Sequence, residues 1–178
     1  MIRQNHSHDH SHHSHGFSEA AAMEKYLRLL NPKTTNFDAI PSGGHGALTT
    51  ADICIAISYA RLNPIQENLF RLKCLGANTI ENVETLSNIF FMKFSKSLSN
   101  AGLHADYHLN VVKAALIEFC MVAADYKPSN RNRAILTGVS FETVRNVLAK
   151  HINEIKNYFM MQYEIAEEKI IYQIIKDT

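Results

Sequence analysis

Arg145 and Asn146 stand side by side in the stretch "ILTGVSFETVRNVLAKH", Ile135 to His151, with Phe141, Glu142, Thr143 and Lys150 around them. Arg matches the two acceptors that guanine shows in a major groove, Asn matches the donor and acceptor of adenine, and Lys grips phosphate as a point charge. That chemistry works only if one helix presents these side chains together. Apolar residues recur at helical spacing from Phe141 onward, and Val144 and Val147 are set to face a core. Phe141, Glu142, Thr143, Arg145, Asn146 and Lys150 are then left on the outer face.

Upstream, Gly138, Val139 and Ser140 have the types needed at a sharp corner between helices: a residue tolerant of positive φ, an apolar plug and a capping hydroxyl. Ala134 lies four residues before the glycine, where only a small side chain lets two helices approach. The pattern predicts a helix-turn-helix whose second helix starts at Ser140. From Lys127 to Lys150 the chain carries five cations (Lys127, Arg131, Arg133, Arg145, Lys150) against one anion, Glu142, within a protein of net charge +1. The basic excess is therefore local. "KPSNRNR" forms a basic loop before the corner, and Arg131 and Arg133 are expected to hold the DNA backbone and set register. The competing interpretation is an ordinary helical corner with a solvated basic face. Arg133 and Thr137 are more polar than the motif usually has at those places.

The elements around this stretch are helical nearly throughout. Ser18 caps "EAAAMEKYLRLL", with Ala22, Tyr26, Leu29 and Leu30 on one face, and Asn31-Pro32 ends it. "NPKTTNFDAIPSGGHGAL" is a loop or linker, after which Thr49 and Asp52 are placed as a capping pair. Asn63-Pro64 closes that helix and opens the next, which ends at Gly76. Two long amphipathic helices follow. One carries Ile80, Val83, Leu86, Phe90 and Phe94; the other carries Leu109, Val112, Leu116, Phe119 and Ala123. No segment alternates with the period of a strand, so the expected class is all-α: a helical bundle with a C-terminal helix-turn-helix and a long C-terminal helix. The expected division is a His-rich tail over 1–16, a helical body over 17–126, and the DNA-binding region with its long helix over 127–178.

Other candidate chemistry is thin. Cys54, Cys74 and Cys120 lie far apart in apolar helical patterns without a CxxC pair, and are expected to be buried small hydrophobes. His104 and His108 stand four apart, but no third ligand is near, and a solvated helix start is expected. "SGGHG" lacks the Lys-Ser/Thr of a phosphate loop. In "NHSHDHSHHSHG" the imidazoles sit among Ser and Asp, a composition suited to a solvated tail; fortuitous metal affinity is expected there, without a structural or catalytic site. No cofactor, metal or enzymatic reaction is implied. No run approaches the ~18 apolar residues of a membrane span, and "MIRQNHSHDH" lacks the apolar core of a secretory signal, so a cytoplasmic protein is expected.

The segment "LLNPKTTNFDAIPSGGHGALTTADICIAI" resembles the N-terminal part of lambdoid phage late-gene antitermination proteins of the Q type, where an Asn/Ser-Pro-Lys element precedes a loop and a Leu-(Ser/Thr)-X-X-Asp helix start. "VVKAALIEFCMVAADY" resembles the family's helix ending in Ala-Asp-Tyr, and "SFETVRNVLAKHINEIKNYF" its C-terminal helical region. The likeness spans roughly Glu24 to Ile174. It departs where the lambda-like branch carries a zinc finger of paired CxxC elements, since here that space holds only "KPSNRNRAIL". The resemblance implies a cytoplasmic factor of the bacterial host that binds double-stranded DNA at a phage late promoter. It further implies loading onto bacterial RNA polymerase with its sigma factor and read-through of terminators. A polymerase-facing surface is expected on the helical body, at Arg61, Arg71, Lys73, Lys93 and Lys96. The alternative is a helix-turn-helix repressor or activator acting at operator DNA alone. Part of the long C-terminal pattern is also open to a role as an arm or homo-oligomer contact.

Overall fold

A computed structural model describes residues 50–120 and 126–176. Most of these residues are helical, with no strand among them. The His-rich tail, the Ser18 helix and its Ala22 face, the glycine-rich loop, Thr49 and Ala123 lie outside the described residues.

Helix α1, Thr50–Tyr59, buries Ala56 and Ile57, and the chain turns after Ala60 through Arg61, whose φ of 48° is left-handed. The next helix starts on a two-way cap. Asn63 Oδ1 accepts from the Gln66 N–H at 2.9 Å, and Gln66 Oε1 accepts from the Asn63 N–H at 3.2 Å. With Pro64 at the first position, α2 runs Pro64–Cys74 and ends where Gly76, at φ 68°, lets the Leu75 and Ala77 N–H groups both reach the Arg71 carbonyl.

Helix α3, Ile80–Asn100, starts from Thr79, whose hydroxyl accepts from the Asn82 N–H. Val83, Leu86, Ile89, Phe90 and Leu98 form its buried stripe, and Phe94 packs against the core from a half-buried position. A single 3₁₀ turn, Ala105–Tyr107, leads into α4, His108–Cys120. Ile80 and Leu109 are exposed, unlike the stripes in which their spacing places them.

Helix α4 is the central element, with Val111, Val112, Ala114, Ala115 and Leu116 fully buried. It packs against α3 and against the long C-terminal helix α7, Ala149–Lys176, which also packs on α1 and α2. Phe159 lies at the middle of this core, its ring 5.2 Å from Phe90, 5.8 Å from Phe94 and 6.0 Å from Phe119. The buried stripe of α7 runs on through Tyr163, Ala166 and Ile170, so most of this helix is spent inside the same core as the body. Its final residues Ile171, Tyr172 and Ile175 are exposed.

Cys54, Cys74 and His108 also differ from their sequence expectations. Cys54 and Cys74 are exposed, and Cys120 alone of the three cysteines is buried. Cys74 sits on the open side of α2, with its sulfur 3.3 Å from the Tyr163 hydroxyl. His108 is buried rather than solvated, because its Nε2 pairs with the Leu103 carbonyl at 2.9 Å and so satisfies the ring inside the loop that precedes α4. No group of three potential metal ligands occurs among the described residues.

Candidate nucleic-acid interface

The corner predicted around Gly138 joins two helices. Helix α5 spans Asn130–Thr137, capped by the Ser129 hydroxyl on the Asn132 N–H. The Asn132 side-chain amide reaches back to the Lys127 carbonyl at 2.7 Å, which ties the basic loop to the helix it precedes. Gly138 has φ 70° and ψ 17°, and its N–H donates to the Ala134 carbonyl at 3.0 Å. A side chain here would have to take up the left-handed conformation that glycine adopts freely. Ser140 then caps α6, Phe141–Thr143, by accepting from the Thr143 N–H at 3.1 Å and pairing with the Thr143 hydroxyl at 2.9 Å. Asn110 on α4 donates to the Thr137 carbonyl at 3.3 Å and so anchors the corner to the core.

Between α6 and α7 the helix widens. Val144–Leu148 is one π turn, in which the Ala149 N–H reaches the Val144 carbonyl, five residues back. Val144 and Leu148 are the two anchors of this turn and are fully buried. Val147 is 42% exposed, against the expectation that it would join Val144 in the core. In an α-helix a residue three after a buried one shares its face, but a turn with more residues brings the fourth into line and pushes the third out.

The outer face therefore holds Phe141, Glu142, Arg145, Asn146, Val147 and Lys150, all exposed, with Thr143 half-buried beside them. The Asn146 amide donates to Glu142 at a long 3.4 Å, and Lys150 meets Glu154 at 3.9 Å, a loose pair between two exposed side chains. Arg131 is exposed on α5 and Lys127 on the loop. Neither Arg131 nor Arg145 has an ion pair among the described residues.

Arg133 is a correction to the predicted phosphate-binding set. It is 6% exposed and forks onto Glu118 of α4, Nε to Oε1 at 2.6 Å and Nη2 to Oε2 at 2.8 Å. Its Nη2 also donates to Asn153 at 2.7 Å, Lys156 donates to Glu118 at 3.3 Å, and the Tyr126 hydroxyl donates to Glu118 at 3.1 Å. Burial alone would raise the Glu118 carboxyl, but the hydrogen bonds and charges of Arg133, then of Lys156, outweigh it and hold the group below its ordinary range. Burial, with the neighbouring Glu118 charge second, pushes the Tyr126 hydroxyl up to about 12. The network pins α4, α5 and α7 to one another.

Both departures from the motif now have a physical cause: Arg133 is polar because it answers a buried carboxylate, and the Thr137 hydroxyl donates to the Arg133 carbonyl at 2.7 Å. Glu118, Tyr126, Asn153 and Lys156 escaped sequence reasoning. One signal was present, a lone acid inside the apolar run "AALIEFC", which must find a cation if the helix is buried.

The cations expected to meet polymerase are mostly engaged within the chain. Arg71 pairs with Glu67 at 2.7 Å, Lys73 lies over the Tyr163 ring at 4.3 Å, and Lys93 lies over the Tyr158 ring at 5.5 Å. Arg61 and Lys96 are exposed. No protein-family model, curated protein or solved structure matches this chain.

Proposed function

We propose that the protein binds double-stranded DNA through a helix-turn-helix made of α5, the Gly138 corner and the helix that begins at Phe141. The observation that carries this reading is the outward face of the second helix. It starts from the left-handed Gly138 and the Ser140 cap, and it presents Arg145, Asn146 and Lys150 to solvent next to the exposed Arg131 and Lys127. Arg145 and Asn146 are the base-reading pair. Lys127, Arg131 and Lys150 serve the backbone, and Ser140 and Thr143 sit where a hydroxyl can meet phosphate at the helix entry.

The resemblance to Q-type antitermination proteins extends the proposal to a phage factor that binds at a late promoter, loads onto bacterial RNA polymerase with its sigma factor, and carries it through terminators. The second reading is a repressor or activator acting at operator DNA only. It is favoured by the engagement of Arg71, Lys73 and Lys93 within the chain, which leaves the body fewer charges for polymerase.

In-vitro transcription from the cognate promoter, with a terminator far downstream, separates the two. Read-through that is lost on Arg61→Glu and Lys96→Glu, while promoter binding is kept, supports the antiterminator. Promoter binding without any change in termination replaces it with the operator-only factor. Absence of specific duplex binding removes both.

A further inference from the structure

Sequence spacing assigns Val147 to the core, and the fold puts it at the surface. The displacement has one cause, the π turn between the buried anchors Val144 and Leu148. A valine left 42% exposed keeps a large part of its methyl surface in water, which is a standing cost. Its setting is polar and basic: Arg145 and Asn146 precede it directly, Lys150 follows within one turn, and Thr143 stands four residues before it on the same side of the helix. A surface with the exposed Arg145, which has no ion pair among the described residues, on one flank and the methyl-bearing Thr143 and Val147 on the other matches a groove that offers acceptors at one base pair and an apolar group at the next. In duplex DNA that apolar group is the C5 methyl of thymine, the one hydrocarbon in the major groove.

We infer that Val147 is a specificity-determining residue that reads a thymine methyl through its side chain, beside the polar reading of Arg145 and Asn146. The inference rests on the DNA-binding reading above and adds to it the chemical class of one recognised base. The π turn is then the device that places this side chain, since an α turn between the same anchors would return it to the core. Phe141, 45% exposed on the flank that bears Arg145, is the second apolar group of the face, four residues before it.

The test begins with selection of a preferred duplex from a pool with a randomised core, using the full-length protein. Each thymine of the selected duplex is then replaced singly by deoxyuridine, which removes the methyl group and keeps every hydrogen-bonding group. Wild-type protein should lose about fourfold in affinity at one thymine, the amount one buried methyl group is worth. Val147→Ala should bind the thymine duplex about as weakly as wild type binds the uracil duplex, and should no longer distinguish the two. Its unfolding midpoint should match wild type, because the side chain is outside the core. If a duplex is selected but no thymine responds to methyl loss, the inference fails and the DNA-binding reading stands. The same holds if Val147→Ala weakens both duplexes equally and keeps the wild-type ratio. If the pool yields no preferred duplex, the DNA-binding reading fails and takes this inference with it.

Discussion

On α2, Arg71 is held by Glu67 and Lys73 rests on the Tyr163 ring, whereas at the Gly138 corner Arg131 and Arg145 are exposed and have no ion pair among the described residues. The side-chain types are the same in both regions. What differs is the supply of partners. Around α2 an acid one turn away and an aromatic cluster beneath absorb the cations, so their charge is balanced at home. At the corner the buried acid Glu118 is taken by Arg133 and the exposed Glu142 accepts from the Asn146 amide, while Arg131 and Arg145 face solvent. A net charge counted along the sequence thus overstates what a ligand meets: of the corner's five cations, Arg133 belongs to the interior.

The strongest way to break this contrast is to remove the buried acid that holds Arg133. Glu118→Ala leaves the Arg133 guanidinium buried beside Asn153 with no counter-charge, and should cost about 3–5 kcal/mol of stability by denaturant unfolding. Pairing it with Arg133→Met should recover much of that loss. Acid titration gives a second readout. The folded Glu118 carboxyl lies below its ordinary value, so its stabilisation is complete above the unfolded-state value of about 4.3 and fades as pH falls through the lower folded one. The difference in stability between wild type and Glu118→Gln should therefore shrink on acidification below that point. A difference that is flat with pH would mean the carboxylate charge does not contribute.

A smaller effect sharpens the contrast from the other side. Arg145→Ala and Asn146→Ala should each weaken binding to a selected duplex by about 1–3 kcal/mol and leave binding to random duplex nearly unchanged. Equal losses on both would reassign them to the backbone. The smallest effect separates the two arginines of α5. Arg131→Ala should lower the slope of log affinity against log salt by about 1, since one phosphate contact is lost. Arg133→Met, tested with Glu118→Ala so that the fold is retained, should leave that slope as it was. A lowered slope there would return Arg133 to the interface.

Among the described residues, the helices and most of their ends were legible in the sequence because their causes are local. Asn63 with Gln66, Gly76, and Gly138 with Ser140 each act within a few residues, and each cap or turn forms where those types fall. The stripes Val83-Leu86-Phe90 and Val112-Leu116-Phe119 are buried for the same reason. What stayed hidden depends on partners distant in the chain or on a change of helical pitch. Arg133 reads as a surface cation until Glu118, fifteen residues earlier, is brought under it. His108 reads as solvated until the Leu103 carbonyl closes on its ring. Val147 reads as core at 3.6 residues per turn, and the sequence carries no plain signal that the turn is wider there. At the candidate site, then, the capped corner and the exposed Arg145, Asn146 and Lys150 were visible beforehand, while the network that supports them was not.

The π turn also separates two kinds of change that an ordinary helix keeps linked. In a uniform α-helix, inserting or deleting one residue rotates everything that follows by about 100°, since 3.6 residues make a turn, and a long buried stripe cannot survive that rotation. Here the wide turn lies between Val144 and Leu148, ahead of Ile152, Ile155, Phe159 and Tyr163. Removing one residue from Arg145–Val147 would let the same two anchors close as an α turn, with the downstream stripe still facing the core. The outward face can thus change its length, and with it the order of its side chains, while the packing of α7 is inherited intact.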